Sequence, residues 1–440
     1  MITIAPGRRC GTVTPPASKS MAHRLMILPA LNEAPVFLEL DRISEDIEAT
    51  ARCHRALGAK VLERKNGLFV EPLSRTTLSA GAGEIPDGVP VLSCGESGST
   101  LRFLLPLAAA LGIPAVFRME DRLALRPIEA LIEALKKNGV LIEAHDGAFR
   151  LSGQLVPGDF ELPGNISSQF VTGLLLALPL LPGDSTITII GKMESEGYLR
   201  LTEQALTLAK IRYEYTPPAR SRCMSYRIPG CQTAQLPTSV FVERDWSAAA
   251  NFLVMGALSH EGIRVSGLDP ESVQGDRRML ELLRDFGAEV LILPPEDPAS
   301  GALPQILVKG SSLKGQTVDV QMIPDLVPIL SVLAAAAEGE TRISGGARLR
   351  FKETDRLRTT YELLKKLGAD VRELEDGLLI NGKGQLVGGS ILRCHDHRIA
   401  MAAAAAALIS RNAVTIPDSD CVNKSYPGFF EDFSRLEAES

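Results

Sequence analysis

Two short stretches of this chain carry groups that could move a proton on an anionic substrate. RFKETDRL (350–357) sets Lys352 beside Glu353, with Arg356 four residues beyond the lysine. Read as a helix, that spacing puts both cations on one face next to a carboxylate. CHDHRIAM (394–401) places Asp396 where a helix cap belongs, with His397 and Arg398 entering an apolar run. Two further stretches suit anion binding. PPASKSMAHR (15–24) offers Ser18 or Ser20 as a cap, with Lys19 and Arg24 five residues apart. GESGSTLR (95–102) has two glycines that let backbone N–H groups close on an anion, followed by Ser99 and Arg102. Arginine suits bidentate phosphate and carboxylate contacts, and lysine acts as a point charge. A metal reading of His395 and His397 lacks a third ligand cluster in a chain with six histidines. No metal and no cofactor is therefore expected.

The elements that must position these groups recur along the chain. Six apolar helical stretches begin SKSMAHRLM, ESGSTLRFL, ISSQFVTGL, RDWSAAANF, IPDLVPILS and HDHRIAMAA. Their markers Ser20, Ser99, Ser168, Ser247, Asp325 and His397 are evenly spread, so the chain reads as six copies of one unit. A second, amphipathic helix in most copies ends in a glycine followed by a short apolar strand, as in RALGAKV, KKNGVLI, RDFGAEV and KLGADVR. Glycine just past a helix is the usual left-handed cap. LAKIRY (208–213) is a degenerate version without the glycine. STITII (185–190) and IRVSGL (263–268) read as strands. The marker helices are apolar all round, which means burial on every side. Each helix start carries about half a positive charge from unpaired N–H groups, so converging starts make an anion site. Lys19, Arg24, Arg102, Arg126, Lys352, Arg356, Arg398 and Lys424 all lie near these starts.

The 440 residues exceed the roughly 250–300 at which a single core stops growing, so two domains of three units each are expected. A net charge of -6 disfavours nucleic-acid and membrane-surface roles. Phe170–Leu181 and Ile399–Ile409, the longest apolar stretches, fall short of the ~18–20 residues that cross a bilayer and read as buried helices. Seven cysteines without a CxxC pair favour a reducing compartment, and no basic-plus-apolar leader opens the chain. A cytoplasmic monomer is the expectation.

In order along the chain, SKSxxxR, GxSGSxxR, LRP (125–127), SSQ (167–169), SEGY (195–198), PD (324–325), KETDR (352–356), DHR (396–398) and NKSYP (423–427) resemble the 5-enolpyruvylshikimate-3-phosphate synthase family. The resemblance implies an α/β fold of two similar domains, each of three βαβαββ units around buried parallel helices, an inside-out α/β barrel. It implies a discontinuous domain of 1–17 plus 243–440, a second of 18–242, and an active site in the cleft between them that closes on bound ligands. The implied activity is that of a 3-phosphoshikimate 1-carboxyvinyltransferase: enolpyruvyl passes from phosphoenolpyruvate to the 5-hydroxyl of shikimate 3-phosphate. Carried over residue by residue, Lys19 lies between the two substrates. Ser20, Arg24, Ser167, Ser168, Ser195 and Tyr198 form the shikimate 3-phosphate shell, with Gln169 reaching both ligands. Gly98, Arg126, Arg356, Arg398 and Lys424 form the phosphoenolpyruvate shell, with Lys352 beside them. Asp325 and Glu353 are the acid–base pair, with Lys19 as the third catalytic group. Gly98 also implies sensitivity to the family inhibitor glyphosate.

Three positions depart from the family pattern. Glu96 and Arg348 stand where the family often has asparagine, and Phe103 where many members have proline. A sister enzyme that puts enolpyruvyl on UDP-N-acetylglucosamine shares the architecture, but its mobile loop typically carries a reactive cysteine. FRMEDRLALR (117–126) has none. A non-catalytic anion-binding relative would have lost Lys19, Asp325 or Glu353, and all three are present.

Overall fold

The computed structural model describes residues 1–73, 88–218, 223–295, 303–393 and 395–439, so Cys394 of the CHDHRIAM stretch lies outside it. The chain divides into two compact units, Met1–Ser18 with Glu243–Ser440, and Lys19–Val242.

Within the Lys19–Val242 unit, residues 91–153 show the repeat in full. Strand Val91–Ser93 leads into helix Gly98–Leu111, and strand Ala115–Arg118 returns parallel to the first. Helix Glu129–Lys137 follows, then the antiparallel strands Val140–His145 and Ala148–Gly153. The sheet order is therefore first, second, fourth, third. Residues 159–228 repeat it around helices Ser168–Ala177 and Glu196–Leu208. The copy around helix Lys19–Ala30 takes its first strand from far along the chain, since Ser239–Phe241 pairs parallel to Val36–Glu39. In the other unit Arg9–Val13 does the same for Ile263–Ser266, beside helix Trp246–Ala257. Thr317–Asp319 to Leu378–Lys383 is a full copy, and Gly389–Ser390 opens a shorter one around helix His397–Ala407. The βαβαββ expectation matches this architecture. Among the described residues the strands form six separate sheets, and none closes on itself.

Sequence explains the burial of the central helices. Their residues are apolar on every face, and all but Lys19 and Ser20 in Lys19–Ala30 are buried. Small residues set how close neighbours come. A Cβ on Gly173 would stand 2.1 Å from the Arg102 carbonyl oxygen, so helix Ser168–Ala177 lies almost backbone to backbone on helix Gly98–Leu111. The outer helices stop as the repeated glycines predict: Gly58, Gly139, Gly287 and Gly368 have φ of 94°, 94°, 99° and 88°. In the degenerate copy Lys210 takes the left-handed turn at φ 55°. Among the described residues no helix is long and apolar enough to cross a membrane.

Candidate active site

In the unit containing both termini, charge converges on Arg356. A 3-10 turn at Ala347–Phe351 ends in extended backbone at Lys352, and Asp355 caps the next helix by accepting from the Arg358 N–H. The helix thus begins at Arg356, which corrects the reading of Lys352 and Arg356 as one helix face. They meet instead through a shared partner. Asp325, in the turn Pro324–Leu326 that opens helix Val327–Ala336, accepts from Arg356 Nη1 at 2.9 Å and from Arg398 Nη2 at 3.2 Å. Lys352 Nζ lies 3.4 Å from its Oδ1. Arg356 also donates to Glu353 Oε2, and through Nε to Asp396 Oδ2 at 2.9 Å. Asp396 is fully buried and caps helix His397–Ala407, so one carboxylate orients both Arg356 and the backbone of Arg398.

Electrostatics follow from this crowding. Burial would raise the Asp325 pKa, but Arg398, Lys352 and Arg356 outweigh it and hold the carboxyl well below its usual range. Burial lowers Lys352, with Asp325 opposing the shift. Burial also works against Arg356, yet Asp396, Glu353 and Asp325 raise it above its ordinary value. Lys424 ends the turn Ser419–Lys424 and is buried. Arg348 donates to the Gln321 carbonyl at 3.1 Å.

In the Lys19–Val242 unit Arg24 meets neutral oxygens. Arg24 is buried and donates through Nε to Thr202 Oγ1 at 2.9 Å, through Nη1 to the Ser20 carbonyl at 2.6 Å and through Nη2 to the Tyr198 carbonyl at 2.8 Å. Burial pushes its pKa down to about 9. Its guanidinium lies 5.2 Å from the Phe103 ring centroid, so the residue that departs from the family pattern packs on this cation. The expected shell residue thus holds the backbone of two others, Ser20 and Tyr198. Lys19 instead meets a carboxylate, with Nζ 2.6 Å from Asp46 Oδ2.

Around Gly98 the expected groups do assemble. Arg102 donates through Nη1 to Gln169 Oε1 and through Nη2 to the Pro127 carbonyl, both at 2.8 Å. Gln169 Nε2 donates to Ser99 Oγ at 2.9 Å. A Cβ on Gly98 would stand 2.6 Å from Arg102 Nη1, 3.3 Å from Arg126 Nη1 and 3.4 Å from Gln169 Oε1. Only glycine leaves this cradle open. Ser167 caps helix Ser168–Ala177 by accepting from the Gln169 N–H at 3.3 Å, and Ser168 is buried behind it. Ser195 holds φ 54° at the start of helix Glu196–Leu208, a costly conformation for a residue with a Cβ. Glu96 lies half-buried two residues before Gly98.

Sequence reasoning missed Asp46, the partner of Lys19, and Asp276. Asp276 accepts from Ser247 Oγ, and burial together with nearby Asp325 raises it to about 6 against the pull of Arg398. Both sit in ordinary-looking polar stretches, SEDIEA and VQGDRR, with no spacing to mark them.

Repeats of βαβαββ around buried helices whose starts gather cations define the enolpyruvyl transferase fold. The enolpyruvyl transferase NikO from Streptomyces tendae shares it, with a TM-score of 0.74 over 99% of this chain and 97% of its own, at 20% identity. The family model for EPSP synthase (3-phosphoshikimate 1-carboxyvinyltransferase) matches residues 5–433, and the chain belongs to that family. The 3-phosphoshikimate 1-carboxyvinyltransferase of Clostridium kluyveri is 39% identical across 100% of this chain and 97% of its own. That of Brachyspira hyodysenteriae is 35% identical across 100% and 99%. EPSP synthase from Acinetobacter baumannii superposes with a TM-score of 0.77 at 27% identity, covering 100% of this chain and 99% of its own.

Proposed function

We infer that this chain transfers the enolpyruvyl group of phosphoenolpyruvate to the 5-hydroxyl of shikimate 3-phosphate and releases phosphate, a step of aromatic amino acid biosynthesis. The observation that carries the reading is the Asp325 cluster, a carboxylate held by Arg356, Arg398 and Lys352 beside Glu353.

The reaction needs a base for the 5-hydroxyl, an acid for C3 and cations for phosphate and carboxylate. Asp325 is the proposed base. Clamped by three cations it is a weak one. An incoming phosphoenolpyruvate that takes Arg398 and Lys352 for its own oxygens leaves Asp325 more basic as the acceptor hydroxyl arrives, because removing nearby positive charge favours protonation. Base strength is then coupled to occupancy. Glu353 is the proposed acid at C3. The hydroxyl oxygen bonds to C2 as C3 gains a proton, and the tetrahedral intermediate then breaks its C2–O bond to phosphate while C3 returns a proton. Lys19, Lys424, Arg126, Arg356 and Arg398 stabilise the anionic intermediate. Ser20, Ser167, Ser168, Gln169, Ser195 and Tyr198 are the proposed shikimate 3-phosphate contacts, shaped from behind by Arg24. Turnover on this reading draws on both units, because the acid–base pair lies in one and Lys19, Gly98 and Arg126 in the other. The same reading takes the chain as a cytosolic monomer.

Phosphate release is the test. Shikimate 3-phosphate with phosphoenolpyruvate should support turnover, and UDP-N-acetylglucosamine with phosphoenolpyruvate should not. Asp325→Ala and Glu353→Ala should each lower kcat about 100-fold or more. Near-normal turnover in either variant overturns its role.

A further inference from the structure

The outer helix Glu45–Ala56 touches two segments that the proposed chemistry needs. Its Asp46 accepts from Lys19 Nζ at 2.6 Å. Further along, Arg52 Nη2 donates to the Ser93 carbonyl at 2.9 Å, at the end of the strand that leads to Gly98. Between them lies Thr50, wholly buried, on the face that meets His23 and Thr100. His23 Nδ1 and Thr50 Oγ1 are 2.7 Å apart, and Thr50 Oγ1 and Thr100 Oγ1 are 2.6 Å apart. Thr100 Oγ1 donates to Ser97 Oγ at 2.7 Å. Ser97 Oγ in turn caps helix Gly98–Leu111, accepting from the Thr100 N–H at 3.3 Å. All four side chains are at most 1% exposed.

Proton counting gives this series a direction. A hydroxyl has one hydrogen to donate. Thr100 uses its hydrogen on Ser97, so Thr50 must donate to Thr100. Thr50 then accepts from His23, which must carry its proton on Nδ1. The series runs one way, from His23 through Thr50 and Thr100 to Ser97. Burial, with Lys19 and Arg24 adding to it against Asp46, lowers the His23 pKa to about 3 and keeps the ring neutral. Hydrogen bonds so aligned polarise one another, which fixes the last acceptor more firmly than any single bond would.

We propose that Thr50 is a positioning residue: it links the Lys19 helix to the Gly98 helix through a one-way series of buried donors that holds the capping oxygen of Ser97. This rests on the reading of Gly98 as part of the phosphoenolpyruvate site. Thr50 touches no substrate itself. Its loss acts on the backbone N–H groups at the start of the Gly98 helix, and therefore on binding of the anion more than on the chemical step.

Thr50→Val keeps the shape and removes the donor. It should raise KM for phosphoenolpyruvate about 10-fold, the factor expected when a buried donor loses its partner, with kcat and KM for shikimate 3-phosphate within about 3-fold. Thr50→Ser, which restores the hydroxyl, should bring KM back. A purely structural role would lower kcat and alter both KM values together, and Thr50→Ser would not repair them selectively; that pattern sinks the proposal. Should Thr50→Val not accumulate as folded protein, Thr100→Val breaks the same series from the other helix and must show the same selective rise. An activity-independent arm uses nitrogen NMR of labelled histidine in the wild-type protein. His23 protonated on Nδ1 supports the series, and protonation on Nε2 refutes it. Absent turnover in the wild type would defeat the enolpyruvyl reading, and the histidine tautomer would then decide the series by itself.

Discussion

The two units solve one problem in opposite ways. In the unit of residues 243–440, Arg356 sits among three carboxylates, Asp325, Glu353 and Asp396, and its guanidinium is held charged more firmly than usual. In the Lys19–Val242 unit, Arg24 and Arg102 donate to carbonyls, hydroxyls and an amide, and burial lowers the Arg24 pKa to about 9. On the proposed function the first arrangement binds an anion by exchange, since an arriving carboxylate or phosphate replaces an internal one. The second surrounds Arg24 with neutral acceptors, so an anion adds without displacing a carboxylate from it. Exchange couples binding to the release of catalytic groups, whereas addition gives attraction without that coupling.

Arginine removal should expose this contrast most strongly. Arg356→Met leaves three carboxylates without their common cation, and breaking a buried pair in this way costs about 3–5 kcal/mol. Arg24→Met leaves neutral acceptors, the Thr202 hydroxyl and the Ser20 and Tyr198 carbonyls, at about 1–3 kcal/mol. Chemical denaturation of both variants measures the difference, and equal losses would erase the distinction. A middle-sized effect belongs to Gly98→Ala. The atoms its Cβ would meet are the ends of Arg102, Arg126 and Gln169. These yield without unfolding, so stability should change by less than about 1 kcal/mol while KM for phosphoenolpyruvate rises roughly 10-fold. Steady-state kinetics beside a melting curve separate the two.

Acid should divide the units as well. His23 and His54 are wholly buried, and burial lowers them to about 3 and about 4. Unfolded, they take a proton near pH 6.5, so the Lys19–Val242 unit loses stability as pH falls from 6.5 toward 4, by up to about 1.4 kcal/mol per histidine per pH unit. Asp276 in the other unit is raised to about 6, so its contribution grows as pH falls from 6 toward 3.8. Hydrogen exchange at pH 7 and pH 5, corrected for intrinsic rates, should show protection lost first in residues 19–242. Loss first in 243–440 would reverse the assignment.

Much of this was legible in the sequence because it is carried by repetition. An apolar helix start that recurs six times and a glycine that recurs four times give the unit, its two helices and its burial. Asp396 was legible as a cap because it shortly precedes an alanine-rich run. Partners were not legible. Thr50 and Asp46 look like ordinary members of a polar helix until folding brings Thr100 and Lys19 against them. Arg24 and Arg102 were recognisable as cations near helix starts, but a charge in a sequence does not say whether it faces a ligand or a neighbouring carbonyl. The helical reading of 352–356 failed because Asp355, the cap, lies inside the motif and breaks it in two.

The borrowed strands have a consequence for synthesis. Arg9–Val13 leaves the ribosome well ahead of its neighbour Ile263–Ser266, which follows about 250 residues later. At roughly 5–20 residues per second that is a wait of about 12–50 seconds with an open strand edge. Among the described residues every strand of 19–242 pairs within that unit, so its fold can be completed in that interval while Arg9–Val13 waits for its partner.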